Sequence, residues 1–118
     1  MSYKLLLLNE DEATVRVKED QIPDFEFQVR DSDTEQPIDL TDYTVYFSMR
    51  KSGQTTSKVS EQECTEIDAT IGQFKYEFEV VDVNDYGTFE GEIKLENIAG
   101  KTLTIYDKFT ITIRDNLD

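Results

Sequence analysis

Residues 82–95, DVNDYGTFEGEIKL, pass from a polar turn straight into a strict alternation. Phe89, Gly91, Ile93 and Leu95 fall on one side, and Glu90, Glu92 and Lys94 on the other. Successive side chains of a strand point to opposite faces, so this is a strand with one buried side and one wet side. The Asp, Asn and Gly before it are turn formers, since they tolerate the tight backbone that reverses a chain.

The same period of two runs through most of the chain. In FEFQV, Phe25, Phe27 and Val29 share a face; in YTVYFSM, Tyr43, Val45, Phe47 and Met49 do. FKYEFEV places Phe74, Tyr76, Phe78 and Val80 together. In LTIYDKFTITI, Leu103 and Ile105 lead into Phe109, Ile111 and Ile113. LLLL at 5–8 and ATVRV at 13–17 are further candidates, with Val15 and Val17 on one face. Turn-rich segments at 31–37, 51–54, 68–72, 83–87 and 97–100 separate these runs. SKVSEQECTEI at 57–67 is open between a short helical turn and an edge strand.

Seven to eight short strands joined by turns predict an all-β chain, an antiparallel immunoglobulin-like β-sandwich filling residues 1–118 as one domain. Asp85-x-Gly87-x-Phe89-x-Gly91 has the spacing of the corner at which such a sandwich enters its penultimate strand. That corner usually carries Tyr and Cys where Phe89 and Gly91 stand. A corner without the tyrosine hydroxyl bond, and a sandwich without the inter-sheet disulfide, are expected.

Composition narrows the chemistry. The 118 residues include 26 acids against 12 bases, a formal net charge of −14. Such a surface repels nucleic-acid phosphates and anionic headgroups, so neither nucleic acid nor membrane is an expected partner. MSYKLLLLNEDEATV lacks both the apolar core of about 7–15 residues and the small-residue cleavage site of a signal peptide. With no His, Ser-His and Cys-His catalysis are excluded, and with one Cys, Cys64, so is a thiolate metal cage. Glu63 and Glu66 flank Cys64 and should raise its pKa and blunt it as a nucleophile. No Trp stacks a sugar, and no Gly-rich loop cradles a phosphate.

A calcium loop counted from Asp82 puts Asn84 at its third position and Gly87 at its sixth. It then fails, because Tyr86 and Ile93 stand where a ligand and a bidentate Glu belong. Asp31, Asp33 and Glu35 lack the glycine of such a loop and read as a hairpin tip. No catalytic residue, metal or cofactor is expected. Tyr46 and Tyr106 are outward-facing aromatics in this reading, either anchors for a protein contact or half-buried cross-strand packing.

The order of elements resembles a known family. DFEFQV leads to PIDLTDY at 37–43 and TVYFSMRKSG; a D-x-x-x-G-x-F-x-Y step follows at Asp68, Gly72, Phe74 and Tyr76, then DYGTFEGEIKL and a pair ending FTITI. From about residue 13 to 114 this is similar to the N-terminal domain of the upper baseplate (BppU-type) proteins of tailed phages infecting Gram-positive bacteria. The resemblance implies a non-enzymatic virion protein made in the host cytoplasm. It implies an adaptor or attachment domain that docks on the tail baseplate and carries a receptor-binding or fibre module, its partners other virion proteins and its copies multiple. This sequence ends at Asp118, directly after the last predicted strand, so it is expected to be either a piece of a longer chain or a free-standing adaptor. Other readings stay open: a capsid decoration or head-fibre-anchoring protein, a small acidic inhibitor that mimics DNA, and a carbohydrate-binding sandwich.

Overall fold

The computed structural model describes residues 2–9, 14–105 and 107–115. Its strands are β1 (Tyr3–Leu7), β2 (Val15–Val17), β3 (Phe25–Asp31), β4 (Thr44–Lys51), β5 (Ser57–Glu63), β6 (Thr65–Asp68), β7 (Gln73–Tyr76), β8 (Gly87–Glu96), β9 (Thr102–Thr104) and β10 (Phe109–Arg114). Two 3₁₀ turns, Ala69–Ile71 and Val80–Asp82, complete the regular structure. The protein is an all-β sandwich. One sheet has the order β1-β3-β7-β6; the other runs β2-β10-β8-β4-β5, with β9 lying beside β8.

The opening stretch becomes β8, the long strand at the centre of the larger sheet. It pairs with the whole of β4, with Gly91 opposite Met49, Ile93 opposite Phe47 and Leu95 opposite Val45. Its alternation is kept: Phe89, Gly91, Ile93 and Leu95 are buried, and the residues between them are half-exposed. Phe25, Phe27 and Val29 of β3 meet this face from the other sheet as part of the same apolar core.

Aromatic rings join the layers where a disulfide was not expected. Phe25 on β3 stacks on Phe109 of β10 with centroids 4.5 Å apart. Tyr76 on β7 stacks on Phe47 of β4 at 4.2 Å, and Phe78 meets the Tyr76 ring edge-on at 5.3 Å. Burial of such a side chain contributes up to about 3 kcal/mol, and favourable ring geometry adds about 0.5–1.5 kcal/mol per pair.

Among the described residues ten strands stand where seven to eight were predicted. The illegible run 57–67 holds two of them, β5 and β6, which edge opposite sheets. The chain crosses between the layers at Cys64, whose buried N–H donates to the Val45 carbonyl at 2.7 Å. Pairing is also not wholly antiparallel, because β2 runs parallel to β10, Ile113 opposite Arg16.

Three local expectations are corrected. FKYEFEV does not continue as a strand to Val80: β7 stops at Tyr76, Phe78 stays buried beyond it, and Val80 turns outward into the 3₁₀ turn. The turn forms because Asp82 Oδ2 accepts the Glu79 N–H at 2.9 Å, which caps the chain where a ladder would continue. Leu103 and Ile105 do not share burial: Ile105, whose N–H donates to the Ile93 carbonyl at 2.9 Å, is buried, and Leu103, opposite Leu95 on the short strand β9, is exposed. In β2 the pattern is inverted, with Val15 exposed and Arg16 buried.

Candidate docking surface

The inversion of β2 builds the most distinctive surface of the molecule. Arg16 is only 4% exposed. Its guanidinium carbon lies 4.0 Å above the centre of the Phe78 ring. One terminal nitrogen donates to the Asp20 carbonyl at 3.3 Å, and the other donates to the Pro23 carbonyl. Burial draws this guanidinium below its ordinary pKa, and Asp20 and Asp24 act against that shift. A planar fork that stacks on an aromatic face while donating at its edge suits this position, where an ammonium would not. The side chain therefore ties the β2–β3 loop down onto the Phe78 segment.

Two further bonds hold the same contact. Glu19 N–H donates to the Val83 carbonyl at 2.7 Å, and Gln21 Nε2 donates to the Phe78 carbonyl at 3.3 Å. Glu19 adopts φ +73°, a left-handed conformation rare for a residue with a Cβ. Beneath, Tyr76 donates its hydroxyl to Asp82 Oδ2 at 2.5 Å. Burial, then this bond, hold the phenol well above its ordinary pKa. The loop and the 3₁₀ turn are thus fixed against each other by satisfied polar groups.

What they present is apolar. Ile22 is 80% exposed, Val81 62% and Val80 43%. Glu19, Asp20, Glu77 and Glu79 flank them along the same two segments and are exposed. The nearby cations are already engaged: Arg16 points inward, Lys18 pairs with Asp115 at 3.4 Å, and Lys75 sits between Asp24 at 3.5 Å and Glu77 at 3.9 Å. An apolar centre with an acidic rim is the anatomy of a protein contact surface. The sequence concealed it, because Val80 extends a strand pattern and Ile22 is a lone apolar residue in a polar turn. The IP pair inside KEDQIPD was the available signal.

The residues singled out in the sequence lie elsewhere. Asp85 pairs with Lys51 at 3.3 Å just before β8. Gly87 opens the strand at φ +139°, and a Cβ there would stand 2.7 Å from Lys51 Cε. Phe89 is fully buried. A Cβ on Gly91 would collide with the Phe109 ring. Tyr46 is half-buried on the outer face of β4, where its hydroxyl donates to Glu96 Oε1 at 2.9 Å and Lys94 lies 5.8 Å from its ring. Tyr106 lies outside the described residues.

Asp82, from which a calcium loop was counted, is buried and committed to Tyr76 and Glu79. Asp31 Oδ1 accepts from the N–H groups of Asp33 and Thr34, and Glu35 pairs with Lys4 at 2.5 Å, so the 31–35 tip is closed by its own turn. Burial, more than the neighbouring Glu63, raises the Cys64 thiol, and Glu66 plays no part in that shift. A shallow cleft of about 220 Å³ beside β4 and β8 is lined in part by Ser48, Arg50, Glu90 and Glu92. Arg50 pairs there with Glu90 at 3.7 Å, and the Ser48 oxygen accepts the Glu61 N–H at 2.9 Å.

The family model of the BppU N-terminal domain matches residues 4–118. This chain belongs to that family. The BppU N-terminal domain is a structural domain of phage baseplate proteins, which places the chain in the virion and among other virion proteins. Its sandwich is similar to the N-terminal domain of phage TP901-1 ORF48, with a TM-score of 0.58 at 16% identity over 85% of this chain and 83% of that one. It is also similar to CopC from Methylosinus trichosporium OB3b, with a TM-score of 0.50 at 7% identity over 98% of both chains. At these identities the likeness is one of fold. No curated protein matches the chain.

Proposed function

We propose that this BppU-type chain, acting as one domain, is a non-catalytic adaptor of the phage tail tip. It docks on the baseplate in several copies and carries a receptor-binding or fibre module. The observation that carries this reading is the family match across residues 4–118. The structure is compatible with it. Polar side chains that would serve catalysis are spent on the fold, as at Asp82, and the surface is acidic, which favours protein partners over nucleic acid and membrane. Exposed carboxylates sit on many elements, among them Asp33, Asp42, Glu63 and Asp107, and do not form the single stripe of a DNA mimic. Asp85, Gly87, Phe89 and Gly91 serve the sandwich in this reading.

Quantitative mass spectrometry of purified particles of the source phage tests it. A few copies per particle, in proportion to other tail-tip proteins, is the expected result. Hundreds of copies would move the chain to the capsid as a decoration protein. Absence from particles, with abundance in infected cells, would overturn the virion role and bring forward the intracellular inhibitor.

A further inference from the structure

Resting on the adaptor reading, we infer that the sandwich end formed by the β2–β3 loop and the 3₁₀ turn at Val80–Asp82 is the surface that docks on the particle, and that its counterpart is a virion protein patch with an apolar centre and a Lys/Arg rim.

Exposure makes the first part of the case. Ile22, Val80 and Val81 come from two segments far apart in sequence, yet Gln21 and Glu19 bind the Phe78 and Val83 carbonyls and bring them together. Apolar side chains held jointly in water by dedicated bonds gain nothing from that placement in the free chain; they gain when a partner covers them. Rigidity makes the second part. The Arg16 clamp and the Tyr76–Asp82 bond hold the backbone beneath the patch, so little ordering cost remains to be met on association.

Charge selects the occupant. Glu19, Asp20, Glu77 and Glu79 are exposed on the two segments that carry the patch, and the cations beside it are already paired or turned inward. A second copy of this chain would bring the same acidic rim against it and be repelled, as would nucleic acid or an anionic membrane. A basic-rimmed protein surface is attracted, with an association rate that falls as salt rises. A competing surface exists at the β8–β9 hairpin, where Ile98 is 87% exposed and Leu103 is exposed on β9, but there Ile98 stands on a turn closed within itself by Asn97, with no second segment among the described residues bonded against it.

The test uses the whole protein in phage particles. A photo-crosslinking amino acid is placed at position 81, 22 or 98, and particles are purified, irradiated and digested. The expected result is crosslinks from 81 and 22, not from 98, to basic-flanked peptides of one tail protein. Val81→Lys and Ile98→Lys, both at exposed sites, provide the second measurement. Val81→Lys should reduce incorporation at least tenfold with an unchanged melting temperature, and Ile98→Lys should leave it at the wild-type level. Crosslinks only from 98, crosslinks from 81 to another copy of this chain, or full incorporation of Val81→Lys would each overturn the assignment while leaving the adaptor reading intact. Absence of the wild-type chain from particles would overturn the adaptor reading itself, and with it this one.

Discussion

The ring of Phe109 occupies the space that a side chain on Gly91 would take. The two residues face each other across β8 and β10, and a Cβ built on Gly91 would lie 2.2 Å from Phe109 Cε2. Where an immunoglobulin-like corner would place a bridging cysteine, this chain leaves a gap and fills it with a phenyl group that stacks on Phe25 in the other sheet. Gly91→Ala should therefore destabilise by about 1–3 kcal/mol, the usual cost of overpacking a filled core. Phe109→Ala should cost about 3–5 kcal/mol. Because both act on one space, the double variant should cost less than the sum. Urea unfolding of the three variants measures this, and strict additivity would refute the shared-space account.

Stability should decline on the alkaline side, and Tyr76 should be a principal cause. Its folded-state pKa is raised by burial and by the bond to Asp82, above the ordinary 10.0. A group with a raised pKa contributes stability that is fully present below its unfolded value and is lost as pH climbs beyond it. Cys64, also raised by burial, adds a similar loss from its ordinary value of 9.0 upward. Melting temperature should thus be flat from pH 7 to about 9 and fall above that range. Tyr76→Phe should cost about 1–2 kcal/mol at pH 7, because Asp82 loses a buried donor, and the alkaline fall should become shallower. A Tyr76→Phe profile parallel to the wild type would show that the phenol does not control it.

Arg16 and its valine neighbours should respond in the order opposite to hydrophobicity. Arg16→Ala removes the stack on Phe78 and two carbonyl partners, and should cost about 2–4 kcal/mol. Arg16→Lys should recover only part of this, since an ammonium cannot make the fork. Val15→Thr, at an exposed site, should stay within about 0.5 kcal/mol. Guanidinium titration of the three proteins distinguishes this arrangement from one in which the valines are buried.

Net charge should make the chain salt-stabilised. At −14 its carboxylates repel one another, and exposed pairs such as Lys4–Glu35 offset little of that repulsion. Raising ionic strength from about 0.01 to 0.15 M shortens the screening length from about 30 to 8 Å, and melting temperature should rise with it at pH 7. A fall would mean that the ion pairs outweigh the repulsion.

The alternating stretches determined the sandwich by themselves. Residues 25–29, 45–49 and 89–95 each carry a period of two with large apolar residues on one side, and only a strand facing a core satisfies that pattern. The family motifs at 37–43, 68–76 and 85–95 were legible for a related reason, since turn residues and core residues are fixed by local geometry. Position 16 was not legible. An arginine between two valines reads as a wet residue, and only the Phe78 ring, brought in by a distant segment, and the Asp20 and Pro23 carbonyls of the loop that folds back on it make its burial favourable. Val80 read as core for the converse reason: the turn that exposes it, with Val81, depends on the Asp82 carboxylate reaching Tyr76 and Glu79. Period reports which face a strand buries. Which polar groups find partners, and hence which apolar ones are left in water for another protein, is decided only when distant segments meet.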